Sequence, residues 1–141
     1  MASILSHDRV SLRKLLWVGP LTIVITIIAN MLIRTVAVAF KGVPETFQYM
    51  QAPSVIGGTI VYLLLALLAF VLVGRFAQRP FQFYRILALV ALCVSLLTPI
   101  MALTGLMSAS GMNLPIFWTM ITMHIVSAGI VVTLLTTLAR E

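Results

Sequence analysis

The sequence predicts an all-α transmembrane four-helix bundle, and three observations lead there. Four apolar stretches fill most of the 141 residues, at about Leu15–Phe40, Pro53–Gly74, Tyr84–Met107 and Leu114–Leu138. Each is longer than the ~20 residues that carry a helix across a ~30 Å hydrocarbon core. The chain is 62% hydrophobic, 9% charged and has a mean hydropathy of +1.17, whereas a soluble domain carries about 25% charged residues. Finally, runs such as Val61–Val73 do not alternate apolar and polar residues as barrel strands do. Backbone in lipid must satisfy its hydrogen bonds internally, so helices are the remaining solution. Short connections leave room for one transmembrane domain over residues 1–141.

The first span is far longer than a 7–15-residue signal-peptide core, and no clear cleavage site closes it, so it is expected to be retained. It carries Thr22, Thr26, Asn30 and Arg34 at successive four-residue steps, a polar stripe on one face. The loop after it, Lys41–Ala52, is the longest connection. It reads equally as a short interfacial helix from Pro44-Glu45 through Phe47 and Met50 or as an irregular turn. The second span offers Gly58, Tyr62, Ala66 and Ala69 as a packing face. Pro80 breaks the link that follows, which also carries the aromatic residues Phe76, Phe81, Phe83 and Tyr84.

The third span has the clearest pattern. Ala88, Ala91, Ser95, Thr98, Ala102, Gly105 and Ala109 recur at alternating steps of three and four. In lipid, small side chains let helices approach closely, and a 3.5-residue period favours left-handed crossings near +20°. Ala88, Ala91, Ser95, Ala102 and Gly105 are therefore the expected helix-packing residues, within the bundle or in a dimer. Pro99 is expected to bend this span. In the fourth, Asn113 before Leu114-Pro115 reads as an N-cap with proline in the first turn. Trp17 and Trp118 fall near opposite interfaces, where indoles prefer to lie.

Charge sets the expected orientation. Of nine basic residues, Arg9, Arg13 and Lys14 precede the first span, Arg75, Arg79 and Arg85 lie in or beside the link between spans 2 and 3, and Arg140 is the last but one in the sequence. The other side holds Lys41, with Glu45. The positive-inside rule then puts both termini and the 75–85 link in the cytoplasm. The net charge of +6 suits anionic headgroups. Membrane lipids are the expected partners, with other membrane subunits or a homo-oligomer as further candidates. Nucleic acid is not expected, because no soluble face exists to carry a basic patch.

Polar groups inside a bilayer are costly and are read first as functional. At 1.5 Å per residue, Asn30, Tyr62, Thr98 and His124 each lie about 13–15 Å from the outer end of their spans. Arg34 lies a turn nearer the surface, with Glu45 as its natural ion-pair partner. Two readings stay open. Asn30 and His124 form a structural clasp between helices, or Asn30, Tyr62, Thr98 and His124 floor an outer-leaflet pocket with Arg34 at its mouth, bidentate to an anion. Met120, Met123 and His124 share a face and suit Cu(I), but methionine is common core filler, so no metal is expected there. His7, on the N-terminal tail, cannot complete a bis-histidine haem site, and no cofactor is expected. Cys93, alone inside a span, forms no intrachain disulfide. There is no Cys-x-x-Cys, glycine-rich phosphate loop or His-Glu-x-x-His, and no span contains a carboxylate. Ser95 and Ser127 have only His124 as a base, without an acidic orienter. Catalytic residues are not expected.

Leu15–Thr22, Ala29–Arg34, the Gly74–Pro80 link and Met123–Ala128 together resemble a family of small bacterial four-span proteins defined as a domain of unknown function. The resemblance covers nearly the whole chain and matches an Asn and Arg in span 1 and a His in span 4, here Asn30, Arg34 and His124. It implies a bacterial inner-membrane protein and no activity. The leading expectation is a non-enzymatic membrane protein whose outer-leaflet polar cavity binds a lipid-like or small amphipathic ligand. The alternative is an accessory subunit packing beside a larger complex through the span 3 seam. A His124-dependent enzyme or Cu(I)-binding protein comes third.

Overall fold

A computed structural model describes residues 9–140. His7 and the rest of the first eight residues, like Glu141, lie outside them. The order is α1 (Leu12–Phe40), α2 (Ala52–Phe76), α3 (Pro80–Ser95), α4 (Leu97–Leu103) and α5 (Leu114–Leu138). The described residues form no β-strand; one isolated bridge joins Val10 to Arg140. Four segments are long and apolar enough to cross a bilayer, with α3 and α4 sharing the third, Pro80–Leu103. Leu16, Leu32, Leu65 and Leu89 lie exposed on the outside of the bundle. Water would penalise such a surface at roughly 25 cal/mol per Å², whereas acyl chains solvate it.

The helix ends follow local chemistry. α1 starts three residues earlier than its apolar run, because the Ser11 hydroxyl accepts from the Lys14 backbone N–H at 3.4 Å and offsets one orphan donor of the first turn. Asn113 does the same for α5, its side-chain oxygen accepting from Ile116 N–H at 2.9 Å. Pro80 opens α3 at its first position, where a missing N–H is harmless. The link between the second and third spans is therefore only residues 77–79, and the third span begins four residues before the expected Tyr84.

That span is broken. Pro99 has no N–H to offer the Ser95 carbonyl, and its ring crowds that carbonyl. α3 accordingly ends at Ser95, Leu96 forms a turn, and α4 continues for seven residues. Gly105 takes φ +78°, a conformation glycine adopts without penalty. The helix thus stops at Leu103, not at Met107, and Gly105 is a turn residue rather than part of a packing seam. Of the small residues expected to pack, Ala102 is buried, Ala88 and Ser95 are half-buried, and Ala91 faces outward. The inward face of the span follows Phe81, Tyr84, Ala88, Ser95 and Ala102.

α1 packs against α5 and α2, α3 against α2 and α5, and α4 against α5. Two apolar cores result. At one end Val18, Phe70, Val73, Phe81, Tyr84 and Leu135 pack together, with the Phe70 and Tyr84 rings edge to face at 4.8 Å. At the other, Ala37, Val55, Ile116, Met120 and Met123 close beneath Val43, Phe47 and Met50 of the first loop. That loop is two successive turns, Phe47 N–H to Pro44 carbonyl and Met50 N–H to Phe47 carbonyl, rather than a helix. Both described chain ends meet at the first core: Ser11 N–H donates to the Ala139 carbonyl at 2.9 Å. Val10 crosses α2 at Gly74, where a Cβ would come within 2.8 Å of the valine side chain.

Candidate functional site

Between the two cores lies a polar layer. Thr22 and Thr26 each donate to the carbonyl four residues back, at 2.7 Å, the usual way a hydroxyl satisfies itself in a helix. Asn30 cannot do so and reaches across. Its amide nitrogen donates to Thr59 Oγ1 of α2 and to Ser127 Oγ of α5, both at 3.0 Å, and Ser127 Oγ lies 3.2 Å from its carbonyl oxygen. Thr59 donates onward to Val55 O at 2.7 Å. Asn30 is 5% exposed, and no buried side-chain polar atom among the described residues lacks a partner. Three spans are thus tied at one level by a closed network.

The predicted belt of Asn30, Tyr62, Thr98 and His124 does not assemble in this form. Tyr62 is 61% exposed on the outer surface of α2. Thr98 and His124 are half-buried and make no hydrogen bond to the cluster. The inward stripe of α2 runs Val55, Thr59, Leu63, Phe70 and Val73, so the face belongs to Thr59, three residues before Tyr62. On α5 the buried stripe runs Ile116, Met120, Met123, Val131 and Leu135, and Ser127 falls on it. Depth, counted from span ends, finds the level of a polar group but not its direction. Thr59 and Ser127 carry one sequence signal: each is a hydroxyl four residues from an inward apolar position.

Arg34 stands one turn nearer the loop. Its Nε donates to the Met50 carbonyl at 2.6 Å, and its Nη2 lies 3.6 Å from Glu45 Oε1. The two side chains differ in setting, 14% exposed for Arg34 and 67% for Glu45. An ion pair to so exposed a carboxylate adds little; the charge-assisted bond to a backbone carbonyl is the stronger contact. Arg34 therefore latches the 43–50 loop onto the bundle.

The remaining candidates are structural in placement. Met120 and Met123 are buried in the core beneath the loop, near Met50, Met31 and Met112. No cluster of three His, Cys, Asp or Glu side chains able to hold a metal occurs among the described residues. Ser127 is engaged by Asn30, and Ser95 Oγ donates to Leu92 O at 2.8 Å, so neither hydroxyl is presented to His124.

The opposite end of the molecule is basic. Arg13, Lys14, Arg75, Arg79, Arg85 and Arg140 gather at the chain ends and the 77–79 link. Several are occupied. Arg140 stacks on the Phe81 ring at 4.6 Å and donates to Thr136 O, Arg85 reaches the Thr136 hydroxyl at 3.4 Å, and Lys14 donates to the Arg140 carbonyl. Beside the link, between α2 and α3, opens a cleft of about 650 Å³.

Four apolar segments around one intramembrane hydrogen-bonded clasp define an all-α, multi-pass membrane protein. Residues 10–141 match the family of unknown function DUF6069, and the chain belongs to it. No curated protein and no solved structure matches the chain.

Proposed function

We propose that this is a non-enzymatic accessory protein of a bacterial inner membrane, with both termini cytoplasmic, that works by packing its third span beside a larger membrane partner. The observation that carries this reading is the distribution of burial. Between Tyr84 and Pro99 the third span has no fully buried residue, a longer unburied run than in the other three, and Ile86, Leu89, Val90 and Val94 there are more than half exposed. Its outward side includes Ala91, a small residue of the kind that permits close helix approach. The interior polar groups point the same way: among the described residues every buried side-chain nitrogen and oxygen already has a hydrogen-bond partner. Gentle solubilisation followed by native mass spectrometry tests it. A stoichiometric partner that Ala91→Trp removes, with the thermal midpoint of the isolated protein unchanged, is the expected result. Recovery of the protein alone under every mild condition overturns it.

A second reading keeps the outer half as a site for a lipid-like or small amphipathic ligand. It is supported by His124, half-buried in a span and without a side-chain hydrogen bond to a described residue, and by Arg34 beneath a loop of turns rather than a helix. Loss of a co-purifying amphiphile in both Arg34→Gln and His124→Leu, with the fold intact, would favour it over the accessory role.

A further inference from the structure

We propose that the cleft between α2 and α3 at the basic end holds one anionic phospholipid, its phosphate against Arg79 and its acyl chain along the apolar walls. This is independent of the accessory reading and concerns the end of the molecule opposite the Asn30 and Arg34 clusters.

The cleft has two chemically distinct parts. Leu72 and Phe76 of α2 face Phe83 and Ile86 of α3 across it. Phe76 is 77% exposed and Phe83 55%, so the walls are open to whatever lies beside them. The mouth is polar: Gln78, Arg79 and Gln82 surround it, supplying two amides and a guanidinium. Its volume of about 650 Å³ falls within the 300–1,000 Å³ range of ligand sites. One apolar slot running along two helices and one set of donors at its mouth match an amphiphile with a single negatively charged head.

Depth agrees with that division. Leu72 lies seven residues before Arg79, and Ile86 seven after it. At 1.5 Å per helical residue the walls extend roughly 6 Å from the link along α2 and roughly 9 Å along α3, the distance over which a headgroup gives way to acyl chain. Pro80 makes this geometry, because a helix opening directly on proline keeps the link to residues 77–79 and holds Phe76 opposite Phe83.

Charge complementarity selects an anionic over a zwitterionic head. Arg140, Arg85 and Lys14 at this end are engaged with backbone or hydroxyl oxygens and a ring, as described above. Arg79 forms no ion pair or side-chain hydrogen bond with a described residue, and Arg75 lies 6.0 Å over the Phe76 ring that forms one wall. No described acidic side chain stands at this end to compete. Arginine presents several fixed donors to phosphate oxygens, and each basic residue at an anionic surface adds measurably to binding. Free phosphate shares the head chemistry but has nothing to set against the apolar walls.

The test is native mass spectrometry of the full chain in a neutral detergent with equimolar phosphatidylglycerol and phosphatidylcholine. The expected result is a preference for phosphatidylglycerol that Arg79→Gln reduces about fivefold, while Arg13→Gln at the same end and Lys41→Gln at the other leave it largely unchanged. Phe76→Ala with Phe83→Ala lowers retention of both lipids. Circular dichroism confirms that each variant is folded. Equal retention of the two lipids overturns the proposal. So does a loss as large in Arg13→Gln as in Arg79→Gln, which would mean diffuse charge. Displacement of the lipid by millimolar inorganic phosphate, equal in wild type and the double alanine variant, overturns the acyl-chain half.

Discussion

At the scale of the single residue, Asn30 and Arg34 do different work four positions apart. Asn30 joins α1 to α2 and α5 through two side-chain hydroxyls. Interhelical hydrogen bonds in membranes average about 0.6 kcal/mol each, because the separated helices also find partners. Thr59 keeps its own bond to Val55 O when Asn30 is removed. Asn30→Leu should therefore cost only about 1 kcal/mol, read as a modestly lowered thermal midpoint in detergent, without loss of helical content. Asn30→Asp should cost more, since it replaces two donated bonds with a buried acid. Arg34→Leu acts elsewhere: it releases the Met50 carbonyl and the loop, and should speed proteolysis within residues 43–50 while the spans stay protected. Equal cleavage of wild type and variant would remove the latch from the account.

At the scale of the element, the third span is the informative one. Its break lies at Ser95-Leu96, one turn before Pro99, because the missing N–H and the ring act on the carbonyl four residues back. Pro99→Ala returns a donor to the Ser95 carbonyl. The two helices should then merge, with a small gain in circular dichroism at 222 nm and a higher thermal midpoint; an unchanged spectrum would mean that α5 imposes the break. The N-terminal strap depends on Gly74 in the same local way. Gly74→Val puts a branched side chain where a single Cβ already meets Val10 at 2.8 Å. It should expose residues 10–12 to protease with little change in the helices.

At the scale of the molecule, the two described chain ends and the 77–79 link share one end of the bundle, and the 43–50 loop sits at the other. In a Cys93→Ser background, cysteines placed at Gln78 and at Ser110 should react with an impermeant reagent from opposite sides of the membrane, with Gln78 shielded in intact cells. Labelling of both from the same side would contradict a four-span insertion.

How much of this was legible beforehand depends on which physical effect was in control. Span count, the Asn113 cap with a proline in the first turn after it, and a disturbance of the third span at Pro99, expected as a bend and found as a break, rest on composition and covalent chemistry, which a sequence carries. The partners of Asn30 do not. The polar stripe of α1 marked its buried face, but α2 and α5 are apolar on nearly every side, and Tyr62 and Thr59, or His124 and Ser127, stand about 60° apart around helices with little contrast to separate them. Only the packing of α1 against α2 and α5 chose Thr59 and Ser127, turned Tyr62 outward and set Arg34 against the first loop, and only the packing of α2 against α3 opened the cleft beside Arg79, because rotation about a helix axis is fixed by neighbours and not by the chain's own pattern.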